Sequence, residues 1–421
     1  MRWPALLSTG PDTIPPMNSR TPPWLTAGVR GIGLASLLSD LGHEVPTSLL
    51  PALLTTVLGA PAAALGLIEG IADAAAGFAK LGGGALADDP HRRRDVAVGG
   101  YTATAVLSSA IALAPSIVVV GLLRAGAWAA RGLRVPARNA LLADAVEPTQ
   151  FGRAYGFERA MDNLGAIMGP LLALALVAAI GLRGAILVSV VPGLLAAVAI
   201  AWAVRRLRRP APRQHTPVRL VVRPLLRGPL GALLVAVALF EAGNVAATLL
   251  ILRATDALRP SMGDAAVTAA IALYTGYNIA ATLASVPAGR LVDARGARIA
   301  LGGGVGLFCA AYLVFALAPG LLPMALAFVA AGVGIGAVET AEHAAVASFA
   351  PEHLRGSAFG LLAAIQSGGD FVASAGIGLL WTLVSPSLAF GVAAALMAVA
   401  LAALAATRST TGPAGGDPVS R

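Results

Sequence analysis

Windows of about twenty apolar residues return along nearly the whole chain, and each is long enough to cross a ~30 Å hydrocarbon core as a helix. Bounded by Pro, Gly or charge clusters, twelve such windows run over 31–56, 62–86, 95–114, 116–135, 157–180, 184–204, 230–252, 267–289, 299–318, 321–341, 357–380 and 386–406. With 57% hydrophobic and 12% charged residues in 421, the chain lies far from the ~25% charged share of soluble domains. A soluble enzyme is excluded, and an all-α, multi-pass membrane protein is expected. The single cysteine, Cys309, excludes a disulfide framework, an iron-sulfur cluster and a cysteine-based zinc site. No cofactor is expected.

Alternating crossings sort the basic residues by side. Twenty-five arginines fall on one side, among them Arg92, Arg93 and Arg94 between spans 2 and 3, Arg131, Arg134 and Arg138 near the junction of spans 4 and 5, and eight between Arg205 and Arg227. The other side holds Arg183, Arg253 and Arg259, while Lys80 and Arg124 lie inside spans. This asymmetry predicts that both termini and the central linker are cytoplasmic. The net charge of +9 is then topological, and its partner is an anionic inner leaflet rather than nucleic acid. The first 23 residues are rich in proline and lack a long apolar core, so they read as a disordered tail and not as a signal peptide. The predicted organisation is a cytoplasmic tail (1–30), a six-helix bundle (31–204), a basic linker (205–229), a second six-helix bundle (230–406) and a cytoplasmic tail (407–421).

The two bundles repeat each other. Gly84, Ala85, Leu86, Ala87, Asp88 returns as Gly289, Arg290, Leu291, Val292, Asp293, and Gly152, Arg153, Ala154, Tyr155, Gly156 as Gly356, Ser357, Ala358, Phe359, Gly360. Asp40, Leu41, Gly42, His43 echoes Glu241, Ala242, Gly243, Asn244. Three matches in the same order imply duplication. Six spans is an even number, so both copies insert with the same orientation.

At these positions the chain resembles the major facilitator superfamily, over about residues 30 to 406. The 2/3 loop signature of that family matches Gly84, Asp88, Arg93 and Arg94, with Asp89 and His91 replacing a basic residue and a glycine. Its second copy matches Gly289, Asp293, Gly296 and Arg298, with Ala294 at a basic position. Gly156, Gly165, Gly169 and Pro170 in span 5 resemble the signature of proton-driven exporters, with Ala173 and Leu174 where that signature has two glycines. The stretch from Arg131 to Asn139, with Gly152 to Pro170, is similar to a bacterial branch of undefined substrate. The resemblance implies two six-helix halves in a bacterial inner membrane and a monomeric carrier of small molecules. Arg131, Arg134 and Arg138 are the expected partners of Asp88 in a cytoplasmic gate that opens as the halves rock. The small residues of span 5 would form a close-packed pivot.

Ionisable side chains at membrane depth cost ~2.5 to 3.5 kcal/mol on insertion scales and therefore mark cavities or partners. Span 1 carries Asp40, His43 and Glu44 on one helical face; span 2 has Glu69, Asp73 and Lys80; span 4 has Arg124; span 5 has Asp162; span 7 has Glu241; span 11 has Gln366 and Asp370. Asn244, Tyr274, Tyr277 and Asn278 add neutral polar groups. By the resemblance, Asp40, His43, Glu44, Arg124 and Glu241 meet near the midplane. The blander readings are that Arg124 neutralises Asp40 or Glu44, that Glu69, Asp73 and Lys80 satisfy one another, and that Asp162 serves the fold beside Arg159. Seven acids against two bases favour a cationic or zwitterionic solute.

Other chemistry is excluded or held as an alternative. His43 and Glu44 open like a zinc-protease helix, but Thr47 stands where the second histidine is needed. Gly332, Gly334 and Ala337 spell a dinucleotide fingerprint inside an apolar helix with no preceding strand. The chain is expected not to be an enzyme. The leading expectation is a secondary active transporter that exports a small amphipathic or cationic solute in exchange for protons. The alternatives are a proton symporter for a nutrient, a divalent-metal carrier using Asp40, His43 and Glu44, and a non-transporting membrane sensor.

Overall fold

The computed structural model describes residues 24–60, 62–207, 221–317 and 320–406. The predicted C-terminal tail and much of the predicted N-terminal tail and linker lie outside the described residues. Thirteen α-helices follow one another: α1 (Ala27–Ala52), α2 (Ala62–Ala87), α3 (Pro90–Ala110), α4 (Ile117–Ala143), α5 (Phe151–Val188), α6 (Val190–Arg206), α7 (Gly228–Glu241), α8 (Ala247–Met262), α9 (Ala265–Arg295), α10 (Ala297–Leu317), α11 (Leu321–Phe349), α12 (Arg355–Leu383) and α13 (Pro386–Ala406). They form twelve spans. Span 5 turns into span 6 at Gly181, whose φ of 72° favours glycine, so the end of α5 already belongs to span 6.

Span 7 departs from the continuous helix expected over 230–252. It is two helices, α7 and α8, joined by Ala242 to Ala246. Gly243 and Asn244 supply the turn chemistry, and the backbone freed from the helix finds a side-chain partner: Val245 N donates to the Tyr312 hydroxyl of α10 at 2.9 Å. Broken backbone at membrane depth is tolerated only where protein or a water-filled cavity satisfies it.

Six helical stretches among the described residues are long and apolar enough to cross a membrane by length and composition alone. Spans 1, 2, 4, 7 and 11 are not among them. These are the spans that carry Asp40, Glu69, Arg124, Glu241 and Asp370. Leucines such as Leu122, Leu171, Leu283 and Leu322 stand 62–70% exposed on the outside, as lipid contact requires.

Within the first half α1 packs on α5 and α6, and α2 on α4; within the second, α11 packs on α9 and α10. The halves meet mainly along α5–α9 and α2–α12. Close approach depends on glycine there. A Cβ at Gly84 would come within 2.7 Å of Gly356 O, one at Gly152 within 2.2 Å of Gly289 O, and one at Gly156 within 2.3 Å of Ser285 O.

Candidate functional site

The first half buries a string of charge beside α1. Asp40 Oδ1 lies 3.4 Å from Arg131 Nη2 and 3.3 Å from His43 Nδ1, and His43 Nε2 lies 3.2 Å from Glu44 Oε1. Arg131 also contacts the His43 ring. One turn further along α4, Arg134 donates to Ser39 Oγ at 2.6 Å with its guanidinium over the Tyr101 ring. Arg138 reaches Glu158 Oε1 at 2.7 Å and Asp162 Oδ1 at 3.3 Å. Arg159 closes that cluster on Glu158 at 2.8 Å and Asp162 at 3.3 Å.

Three sequence readings are corrected at this point. Arg131, Arg134 and Arg138 do not pair with Asp88; they turn into the bundle because α1 and α5 offer them buried acceptors. Arg124 neutralises neither Asp40 nor Glu44. It pairs with Glu69 at 3.0 Å, donates to Thr47 Oγ1 at 3.1 Å and stacks on Trp128. The blander reading of Glu69, Asp73 and Lys80 as one mutually satisfied cluster also fails. Asp73 accepts from Trp128 Nε1 at 3.1 Å, and Lys80 crosses to the other half, where it donates to Ser367 Oγ at 2.5 Å.

The second half is composed differently. Glu241 is the last residue of α7 and accepts from Asn244 Nδ2 at 3.1 Å. Around it α11 contributes Glu342 and Glu339, and α12 contributes Asp370. Gln366 donates to Glu342 Oε2 at 2.9 Å, while Glu342 Oε1 is fully buried without a hydrogen-bond partner among the described residues. On α9 the rings of Tyr274 and Tyr277 stack with their centroids 5.5 Å apart. Asn278 donates back to Tyr274 O at 3.1 Å. The count of seven acids against two bases changes accordingly. Arginines restore balance in the first half, and the acidic surplus belongs to the second.

At the end bearing the 2/3 and 8/9 loops, the halves are shut by a swapped pair of caps. Asp88 accepts from Ser357 N at 2.8 Å and from Ser357 Oγ, at the start of α12. Asp293 accepts from Gly152 N at 2.7 Å and Arg153 Nε at 2.6 Å, at the start of α5. Each carboxylate therefore faces the positive end of a helix from the opposite half. Arg93 pairs with Asp144 at 2.6 Å, and Arg355 approaches the same carboxylate at 3.4 Å. Arg298 instead donates to Ala405 O within its own half. Burial raises the Asp88 pKa above its ordinary value, against its bonds with Ser357 and the charge of Arg93.

The glycines of span 5 divide their work. Gly156 meets the other half, whereas Gly165 and Gly169 lie against α1, where a Cβ would approach the Cβ of Asp40 to 2.9 Å and that of Glu44 to 2.3 Å. Sequence reasoning missed Glu158, Tyr312 and Ser367 and left Glu339 and Glu342 outside the cavity. Glu158 lay near the predicted edge of a span, where a charge reads as solvated. No group of three or more His, Cys, Asp or Glu among the described residues is arranged to hold a metal ion.

A sequence model of the Major Facilitator Superfamily matches residues 32–258 and 232–420. An uncharacterized protein of Mycobacterium tuberculosis is 32% identical over 188 residues, covering 44% of this chain and 46% of that protein. The chain thus spans less than half of that relative. An uncharacterized MFS-type transporter of Methanocaldococcus jannaschii is 25% identical over 89% of this chain and 93% of its own length. The fold is shared with the human organic anion transporter MFSD10 at a TM-score of 0.72 and 16% identity, covering 91% of this chain and all of that one.

Proposed function

The chain belongs to the major facilitator superfamily and is a multi-pass membrane transporter, and we propose that it works by alternating access, exchanging protons for a small cationic or amphipathic solute. The observation that carries this reading is the carboxylate-rich group of Glu241, Glu339, Glu342 and Asp370 around a broken helix, where, among the described residues, four acids face only Lys80 and Arg159 of the other half. Such a group holds a proton or a cation in turn, because two neighbouring carboxylates do not ionise together without cost. Discontinuous helices near the midplane are where carriers of this kind bind substrate and coupling ions.

With the arginine-rich side assigned to the cytoplasm, the swapped caps of Asp88 and Asp293 would lie at the cytoplasmic face of the bacterial inner membrane, so that the state shut there is closed to the cytoplasm. Asp40 is paired with Arg131, and His43 bridges Asp40 and Glu44; this trio serves to position the cavity wall. The run Gly156, Gly165, Gly169 and Pro170 supports export as the direction.

The test is flux in proteoliposomes under an imposed pH gradient, with ethidium as the cationic probe. Wild type moves ethidium against the proton gradient. Glu241→Gln retains ethidium binding and loses pH-driven movement, while Glu44→Gln keeps it at reduced rate. Ethidium flux indifferent to the gradient in wild type, or undiminished in Glu241→Gln, overturns the proposal.

A further inference from the structure

On the outer side of the second half, α9 and α10 diverge from their junction at Gly296 and leave a cleft of about 790 Å³ floored by α11. Its lining, including Leu283, Pro287, Leu291, Ile299, Gly303 and Val333, consists of apolar residues alone. Leu283 and Ile299 are 70% and 51% exposed, so the cleft opens toward lipid and not toward the charged interior. A transported cation finds no polar partner there. An acyl chain does not need one.

The same helical stripe ends in positive charge. Arg290 follows Pro287 by three residues and Leu283 by seven, and Arg295 follows Leu291 by four, so both continue the lining toward the loop end of α9. Both arginines are exposed. The neighbouring acid, Asp293, is engaged by Arg153 of the other half, and neither Arg290 nor Arg295 makes a salt bridge among the described residues. We propose that this cleft is a binding site for an anionic phospholipid, with one acyl chain between α9 and α10 and the headgroup phosphate on Arg290 and Arg295.

The site bears on the transport cycle through α9 itself. Ser285, Gly289 and Val292, on the opposite face of that helix, meet α5 where the halves are shut. A lipid in the cleft backs α9 against α5 and supports the shut end.

Native mass spectrometry of the full-length protein in equimolar phosphatidylglycerol and phosphatidylcholine tests the assignment. Wild type retains phosphatidylglycerol in preference to phosphatidylcholine. Arg290→Gln and Arg295→Gln each lower phosphatidylglycerol retention about fivefold, the worth of one basic residue at a membrane surface. Gly303→Leu places its Cβ where nothing lies within 4 Å, fills the cleft and lowers retention of both lipids. Equal retention of the two lipids by wild type, or unchanged phosphatidylglycerol in the arginine variants, overturns the proposal. The arginine variants decide even if Gly303→Leu misfolds, since they alter exposed side chains only.

Discussion

Gly369 of α12 lies directly against Glu241 of α7, so closely that a Cβ on the glycine would stand 2.3 Å from the Cβ of the glutamate. The repeat copies this relationship. Gly165 of α5 lies against Asp40 of α1, and a Cβ there would stand 2.9 Å from the aspartate Cβ. Each half thus seats its span 1 or span 7 acid on a glycine of its span 5 or span 11, and that seat fixes how far the carboxylate stands from the axis between the halves.

Gly369→Ala therefore forces α7 and α12 apart, because 2.3 Å is far inside van der Waals contact and the nearest atoms belong to the main chain and Cβ. Overpacking of this kind costs about 1–3 kcal/mol. The expected result is a lower melting temperature together with loss of pH-driven flux. Gly368→Ala is the matched control, since a Cβ there meets nothing within 4 Å. Equal behaviour of the two variants in a thermal melt contradicts the seat.

The break in span 7 rests on one hydroxyl. Tyr312→Phe removes the acceptor of Val245 N, which is 2.9 Å away and lies in a residue only 4% exposed. A buried unpaired amide costs about 1–3 kcal/mol. We expect faster hydrogen exchange at Val245 and weaker coupling of ethidium flux to pH, with the ring packing of Phe308, Phe315 and Phe390 unchanged. Wild-type exchange at Val245 in the variant counts against the cap.

The buried charge cluster on α5 makes the opposite kind of demand. Glu158 is fully buried and holds Arg138 at 2.7 Å and Arg159 at 2.8 Å. Removing one partner of a buried pair is worth about 3–5 kcal/mol, because the remaining charge is stranded. Glu158→Ala is expected to lower yield and thermal stability sharply, and Glu158→Ala with Arg138→Met to recover part of both. A double variant no better than the single one argues that Arg138 is satisfied by Asp162 and Ser36 alone.

How much of this was legible in the sequence depends on the range of the interaction. The twelve spans and the duplication follow from apolar windows and from local strings such as Gly84 to Asp88, so they survive translation into structure. The break after Glu241 did not show, because Ala242, Val245 and Ala246 keep the window apolar and only Gly243 and Asn244 hint at a turn. Arg131, Arg134 and Arg138 read as cytoplasmic gate partners of Asp88 because the charge rule counts them with the other arginines of that side. Counting arginines by side takes no account of Glu158 and Asp40, the buried carboxylates that draw two of those side chains inward. The partner of Asp88 was hidden because it lies 269 residues away on the other half. The repeat contained the answer in outline, since Asp88 and Asp293 match each other and so do Ser357 and Arg153.

Asp88 also gives the shut end a pH dependence whose sign is fixed by its surroundings. Burial raises its pKa above the ordinary value, and the hydrogen bonds from Ser357 and the charge of Arg93 draw it down by less. When the halves part at this end, the carboxyl returns to water and to an ordinary value of ~3.9. The shut state therefore binds the proton more tightly than the open one. Its extra stability is fully present below the ordinary value and is lost as pH rises through the raised one. Labelling of a cysteine introduced at Ala358, which is buried in the shut end, should accordingly slow as pH falls toward 4 by more than labelling of the same cysteine in the unfolded protein, whose rate falls with the thiolate fraction alone, in a background where Cys309 is replaced by Ala. Asp88→Asn mimics the protonated form. It should label slowly at every pH and impair transport while reaching the membrane in normal amount. A variant that keeps the wild-type pH step, or transports at the wild-type rate, shows that the proton acts on some other group.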